Sequence, residues 1–340
     1  MAKYFRILSI DGGGIRGILP GQILVSLEKE LQKQSGSKSA RIADYFDLIA
    51  GTSTGGMLTC IYLCPDKNNP ARPQFSAQDA VDLYLERGDE IFDVSFWHKI
   101  KSGDGLLDEK YSADHLEEAL KDYFGEMKMD ELLRSCMITA YDTRRRRTHF
   151  FTKHDAVKTE KDNFLVRDVC RATSAAPTYF EAARIKSDTK IPYPLIDGGV
   201  FANNPALCAY AEARKLSIKN CPKKPTAKDM VILSLGTGKI KKPYYYKEIK
   251  DWGLVQWIKP LIDILMSAGP ETVDYQLKLI FDAVDAKSQY LRIMPELGTA
   301  SPEMDDASAD NLRALAETGA EAAEKNEKNI KKIVKLLLQE

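Results

Sequence analysis

The sequence predicts an α/β fold, with a parallel or mostly parallel sheet covered by helices on both faces. Three observations carry this. Phe5 to Ile10 is a short apolar run that ends in glycines, and behind it Ile23, Leu24, Leu27 and Leu31 recur at helical spacing. The same succession of strand, glycine turn and helix returns at Tyr45 to Ala50, Gly51 to Gly56 and about Gly55 to Leu63. A third buried run, Val231 to Leu235, again ends in glycine, at Gly236-Thr237-Gly238. Strands and helices that alternate in this way form crossover units, which bring successive strands into parallel register.

The segments between these units follow in order. Ser35 to Ser39 is a polar turn, and residues 65 to 75, rich in Pro and Asn, form a loop. Ala77 to Arg87 and Ser112 to Phe124 have helical periodicity, with an irregular run from Val94 to Asp108 between them. Met137 to Tyr141 and Thr148 to Thr152 read as strands joined across Arg144-Arg145-Arg146-Arg147. Four arginines at a hairpin tip are read as a solvated loop ahead of an anionic-lipid contact. From Trp252 to Met266 the chain is apolar and carries two tryptophans, Trp252 and Trp257, and Pro260 is expected to limit a continuous helix. Core packing is the first reading of that stretch and a membrane-facing surface the second. Asn311 to Thr318 and Ala322 to Leu338 read as two polar helices.

Composition sets bounds on function. With 49 basic and 49 acidic side chains in 340 residues, the charges cancel, so nothing in the balance favours a nucleic acid polymer. A hydrophobic fraction of 44% and a charged fraction of 29% are ordinary for a globular chain with a large core. The six cysteines form no C-x-x-C pair, and Cys60-x-x-x-Cys64 has no histidine nearby to complete a metal site, so reduced thiols and no metal are expected. The first ten residues are too interrupted by charge for a signal peptide, and no run approaches a spanning helix, so a cytoplasmic location is expected.

Chemistry gathers at three places. Gly51-Thr52-Ser53-Thr54-Gly55-Gly56 sets Ser53 on a strand-to-helix turn, where its Oγ stands clear of the backbone and small neighbours admit an ester carbonyl. The alternative is a glycine-rich turn with an incidental serine. A hydroxyl nucleophile needs a proton acceptor, and the usual one is histidine. The histidines are His98, His115, His149 and His154; none follows Asp197, so the α/β-hydrolase order of serine, acid and histidine cannot be built. Asp197, in Ile196-Asp197-Gly198-Gly199, ends the apolar run Ile191 to Ile196. Within reach of Ser53 it can take the proton itself, and partial burial raises its proton affinity toward that task. The alternative is a plain Asp-Gly turn. Gly12-Gly13-Gly14, between a strand and a helix, forms a concavity of open amides suited to the oxyanion of a tetrahedral intermediate. Arg16 is read as holding that loop, ahead of aiding the negative charge. The same loop, as Gly12-x-Gly14-x-x-Gly17, also fits a dinucleotide fingerprint, but the acidic residue about twenty positions on is replaced by Ser35-Gly36-Ser37-Lys38-Ser39.

Asp11-Gly12-Gly13-Gly14-Ile15-Arg16-Gly17, Gly51 to Gly56 and Asp197-Gly198-Gly199, in that order, resemble the patatin-like phospholipase family. The likeness extends to Ala43-Asp44-Tyr45-Phe46-Asp47, to Ala172 through Phe180 and to Ser234-Leu235-Gly236-Thr237-Gly238, and so covers residues 5 to about 240. It implies a three-layer α/β sandwich with a mostly parallel central sheet, related to cytosolic phospholipase A2. It also implies an acyl hydrolase domain over residues 1–300 with a helical extension, 301–340, packed on it. The implied site is a Ser53–Asp197 dyad with an oxyanion hole from the Gly12, Gly13 and Gly14 amides, supported by Arg16, Gly17, Gly51, Gly55, Gly198 and Gly199. The implied activity is hydrolysis of phospholipid or lysophospholipid acyl esters, without a cofactor, during transient contact with a membrane surface. A broad-specificity esterase, an effector activated by a nucleotide messenger, a homo-oligomer and a small-molecule activator all stay open.

Overall fold

Successive residues of the inner strands face opposite ways, and both ways are buried. Leu8, Ile10, Ile49, Val231, Leu233 and Leu235 enter one core, while Phe5, Ile7, Leu48, Ala50, Met230 and Ile232 enter the other. That pattern is what a parallel sheet between two helical layers requires. The computed structural model describes residues 3–91, 114–218, 221–240 and 243–339; the irregular run 94–108, with His98, lies outside them, as does the side chain of Ile258.

The strands are β1 (Phe5–Ile10), β2 (Leu48–Thr52), β3 (Ser135–Asp142), β4 (Arg147–Thr152), β5 (Ala183–Lys186), β6 (Pro192–Asp197), β7 (Met230–Leu235) and β8 (Tyr290–Ile293). They form one sheet in the hydrogen-bonded order β5-β6-β3-β2-β1-β7-β8, with β4 paired to β3 off that path. The pairs β3-β2, β2-β1, β1-β7 and β7-β8 are parallel. Strands β4 and β6 both run antiparallel to β3.

The registers on β3 position the site. β4 pairs with Met137–Asp142 and so occupies one edge of β3 over that whole length. β2 pairs with Ser135–Thr139 and β6 with Ala140–Asp142, so both must use the other edge. They meet there end to end: Thr52, the last residue of β2, faces Thr139, and Asp197, the last residue of β6, faces Ala140. A loop leaving β2 at residue 53 therefore meets the carboxylate that ends β6.

The Ile18–Ser35 helix covers one face of the sheet, with the Ala77–Ile91 and Ala309–Lys325 helices packed on it. The Ala206–Ala213 helix and the C-terminal part of the Leu254–Asp282 helix cover the other, through Ala209, Leu277 and Phe281. Three differences from the sequence reading have physical causes. The Ala309–Lys325 helix runs through Gly319, where a Cβ would press on Gln22 and the Leu19 carbonyl; glycine there permits close helix packing and does not end the helix. The four-residue strands β5 and β8 were too short to register as apolar runs. The Leu254–Asp282 helix is continuous for 29 residues through both Pro260 and Pro270, so Pro260 does not limit it.

The same helix corrects the core reading of its first turns. Leu254 is 84% exposed, Val255 77%, Leu261 50% and Leu265 49%. Among the described residues, no helix is long and apolar enough to cross a membrane.

Candidate active site

Ser53 sits at the N-terminal end of the Thr54–Leu63 helix with φ 54° and ψ −124°. A side chain other than glycine is strained there, by about 1–3 kcal/mol, and holds that conformation only where its surroundings impose it. They do so here. The Ser53 N–H donates to Thr173 Oγ1 at 2.9 Å, and Thr173 Oγ1 in turn donates to the Thr139 carbonyl on β3 at 2.7 Å. Thr52 Oγ1 and Thr139 Oγ1 are 2.7 Å apart, and Thr52 donates onward to the Ala202 carbonyl. Gly51 and Gly55 leave the turn room: a Cβ on Gly51 would collide with the Gly55 carbonyl, and one on Gly55 with that of Ile10. Gly17 lies against Thr54 in the same way.

Asp197 is 1% exposed. One carboxylate oxygen, Oδ1, accepts from the Gly199 N–H at 2.6 Å, and Oδ2 is buried with no hydrogen-bond partner among the described residues. Burial pushes its pKa up to about 7, against the lowering effects of the Gly199 amide and the Ser53 hydroxyl. Ser53 and Asp197 line the same cavity, and no hydrogen bond joins the Ser53 hydroxyl to the carboxyl among the described residues. Gly198 abuts the Thr139 side chain and backbone and has no room for a side chain, and Gly199 lies against the Met266 thioether.

The glycine loop is anchored from three sides. The Gly12 N–H donates to the Asn203 carbonyl at 3.1 Å, and the Gly12 carbonyl accepts from Thr237 Oγ1 at 2.6 Å. Gly14, at φ 59°, needs glycine both for that backbone and because the Met304 carbonyl occupies the place of a Cβ. The Ile15 N–H donates to that same carbonyl at 2.8 Å. Of the three expected oxyanion donors, Gly12 is therefore already engaged, while the Gly13 and Gly14 N–H groups have no acceptor among the described residues. A pyrophosphate cradle would need this loop open, and Asn203 and Met304 cover it.

Arg16 is 6% exposed, and its Nε donates to the Gly13 carbonyl at 3.3 Å, which fits the loop-holding role. Burial lowers its pKa, opposed by Tyr179, Asp263 and Glu303. Asp11 is held by Arg292 from β8, through contacts of 2.8 and 2.5 Å to its two oxygens. Sequence reasoning missed Thr173, Asn203, Arg292 and Met304. Only Thr173 lay within a recognisable motif.

The histidines do other work. His115 is exposed, His149 packs edge-on against Phe151 with burial lowering its pKa to about 4, and His154 pairs with Glu212 at 2.9 Å. None of these three lines the cavity over Ser53. That cavity, of about 40 Å³, is walled by Met57, Leu116, Tyr179, Phe180, Met266 and Met304 and also touches Gly14 and Asp197. A hydroxyl on a strained turn, a neutralisable carboxyl and the Gly14 amide around an apolar slot suit acyl transfer from an ester that carries a hydrocarbon chain.

The family described as patatin-like phospholipase matches residues 8–210. The chain belongs to the patatin-like phospholipase family. A patatin-like protein 2 of Oryza sativa subsp. indica is 38% identical, over 96% of this chain and 86% of its own. Patatin-like protein 4 of Arabidopsis thaliana is 34% identical, over 94% and 83%. A protein of Solanum tuberosum named probable inactive patatin-3-Kuras 1 is 35% identical, over 96% and 88%. Among solved structures, VipD from Legionella pneumophila aligns over 95% of this chain and 67% of its own, with a TM-score of 0.42 and 10% identity. Membership in the patatin-like family carries lipid acyl hydrolase activity of the esterase type as the coarse assignment. The relative named inactive means that finer assignments must rest on this chain's own residues.

Proposed function

We propose that this chain is a phospholipase A or lysophospholipase that cleaves fatty-acyl esters of glycerophospholipids through an acyl-Ser53 intermediate. The observation that carries the reading is the end-to-end meeting of β2 and β6 on β3, which sets a free carboxylate oxygen of Asp197 beside the strained Ser53.

In the first half-reaction Asp197 Oδ2 takes the Ser53 Oγ proton as Oγ bonds the ester carbon, and the carbonyl electrons move to oxygen. The Gly13 and Gly14 N–H groups receive that oxyanion; the Gly12 amide, engaged by Asn203, keeps the loop in shape. The intermediate collapses with cleavage of the bond to the alcohol, which leaves with the proton from Asp197. Water then attacks the acyl carbon and gives its proton to Asp197; the bond to Oγ breaks, and the proton returns to Ser53. A carboxyl with a pKa of about 7 is matched to both transfers. The substrate class rests on the apolar slot over Ser53 and on the exposed apolar turns of the Leu254–Asp282 helix, which suit transient contact with a membrane.

The test is fatty-acid release from mixed phospholipid vesicles by wild type and Ser53→Ala protein, with fluorophosphonate labelling alongside. Release and labelling confined to the wild type are expected. Equal release from both proteins would sink the assignment.

A further inference from the structure

We infer that the arginine hairpin between β3 and β4 is an anchor for anionic lipid headgroups, on the same rim as the mouth of the active site. The inference rests on the membrane-phospholipid reading above and adds the kind of surface on which the protein works.

Register fixes the placement. Phe150 faces Thr139, the level at which β2 ends and Ser53 begins, and Arg147 faces Asp142 three positions further on. At about 3.4 Å per residue the hairpin tip stands roughly 10 Å beyond that level, past the C-terminal end of the parallel sheet. Arg145 is taken up by Asp142 at 2.7 Å and lies over the Tyr193 ring. Arg144, Arg146 and Arg147 are exposed and have no ion-pair partner among the described residues. Three guanidinium groups without an ion-pair partner on one hairpin tip offer forks whose geometry matches phosphate oxygens.

An apolar path joins this tip to the exposed helix. Phe150, 37% exposed, meets the Phe201 ring at 5.7 Å, and the neighbouring Val200 lines a cavity with Asp197, Ile262 and Leu265. Leu265 is itself 49% exposed, on the helix that presents Leu254, Val255 and Leu261 to solvent. One rim thus carries a cationic point, an apolar ridge and the entrance to the Ser53–Asp197 cavity. Charge complementarity selects the occupant: the apolar ridge accepts acyl chains from any bilayer, and the arginine tip favours one with acidic headgroups.

The experiment is co-flotation of the full chain, as the Ser53→Ala protein so that no lipid is consumed, with vesicles of phosphatidylcholine alone or with 30% phosphatidylglycerol. Binding should rise with the anionic fraction and fall with salt. The Arg144→Gln/Arg146→Gln/Arg147→Gln variant should lose roughly 100-fold of the affinity for anionic vesicles, with several-fold per basic residue near such a surface, and keep its weaker binding to phosphatidylcholine. The Leu254→Ser/Val255→Ser variant should weaken binding to both. In the active background, the triple variant should hydrolyse a soluble short-chain ester at the wild-type rate and unfold at the wild-type temperature. No anionic preference in the parent, as for a tip that meets an acidic protein, or full anionic binding by the triple variant overturns the inference. Loss of ester hydrolysis in the unsubstituted chain would instead defeat the enzymatic reading and leave the flotation result standing.

Discussion

Asn203 Nδ2 donates to the Met266 carbonyl across 2.9 Å, and that carbonyl is the one that Pro270, four residues on, has no N–H to satisfy. The same nitrogen lies 3.4 Å from the Gly12 carbonyl, so one side chain both repairs a proline gap in the long helix and braces the glycine loop. Removing the donor leaves a partly buried carbonyl unsatisfied, at a cost of about 1–3 kcal/mol. Asn203→Ala should lower stability by that amount in urea unfolding and reduce turnover. Pro270→Ala restores an N–H where one is missing. In that background the Asn203→Ala loss should shrink by about 1 kcal/mol. A double-mutant cycle with no coupling would show that the two positions act independently.

Activity should rise with pH through about 7, because in the proposed mechanism Asp197 is ionised to accept the serine proton, and its pKa is pushed up to about 7 by burial. Stability should move the opposite way. The folded state holds this proton more tightly than the unfolded chain, whose aspartate ionises near 3.9, so stability present below about pH 4 is lost as pH rises to about 7. Asp197→Asn removes the buried charge and cannot titrate. The inactive variant should be more stable than wild type at pH 8 and approach it near pH 4. Thermal unfolding at the two pH values measures this, and an advantage independent of pH would show that the carboxyl is not neutralised by burial.

Ser53 offers a test of stored strain. Ser53→Ala keeps a Cβ at φ 54° and should abolish turnover with little change in stability. Ser53→Gly also abolishes turnover but suits that backbone, and it should raise stability by about 1 kcal/mol. Unfolding of the two variants side by side decides the point. Equal stabilities would mean that the turn imposes no strain on its side chain.

The residues of the proposed dyad and the glycine loop stand out in the sequence because each belongs to a signature of consecutive residues. Ser53 needs small neighbours within two positions, and Gly14 needs a backbone that few other residues adopt. What joins them was not legible. Asn203 reaches Gly12 across 191 residues and Arg292 reaches Asp11 across 281, and neither sits in a pattern that marks it from its own surroundings. Gly12 shows the limit from the other side: the motif pointed to an open amide, but whether an amide is free depends on the partner that folds against it. The Leu254–Asp282 helix was misread because local rules were applied to a tertiary problem. Proline weakens a helix through one missing donor, which Asn203 supplies for Pro270, and an apolar stripe has the same period whether it faces a core or a bilayer.

Arg292 supplies the last prediction. Its guanidinium grips both oxygens of Asp11 and also donates to Ser234 Oγ at 2.7 Å, with side chains 5% and 1% exposed. Burial works against both charges, but for Arg292 the contact with Asp11 prevails and holds its pKa above the ordinary value. Asp11 opens the glycine loop, and its N–H is fixed to the Leu235 carbonyl of β7, so the pair ties the loop to the far side of the sheet. Removing one partner strands the other charge, at about 3–5 kcal/mol, whereas removing both does not. Arg292→Leu should therefore destabilise the protein by several kcal/mol and nearly abolish turnover, and adding Asp11→Asn should recover much of the stability. Turnover should stay low in the double variant, since the loop has lost its tether. Arg292→Lys keeps the charge but loses the two-pronged grip, so it should fold and turn over more slowly. Stability equal to wild type in Arg292→Leu would show that the pair does not hold the loop.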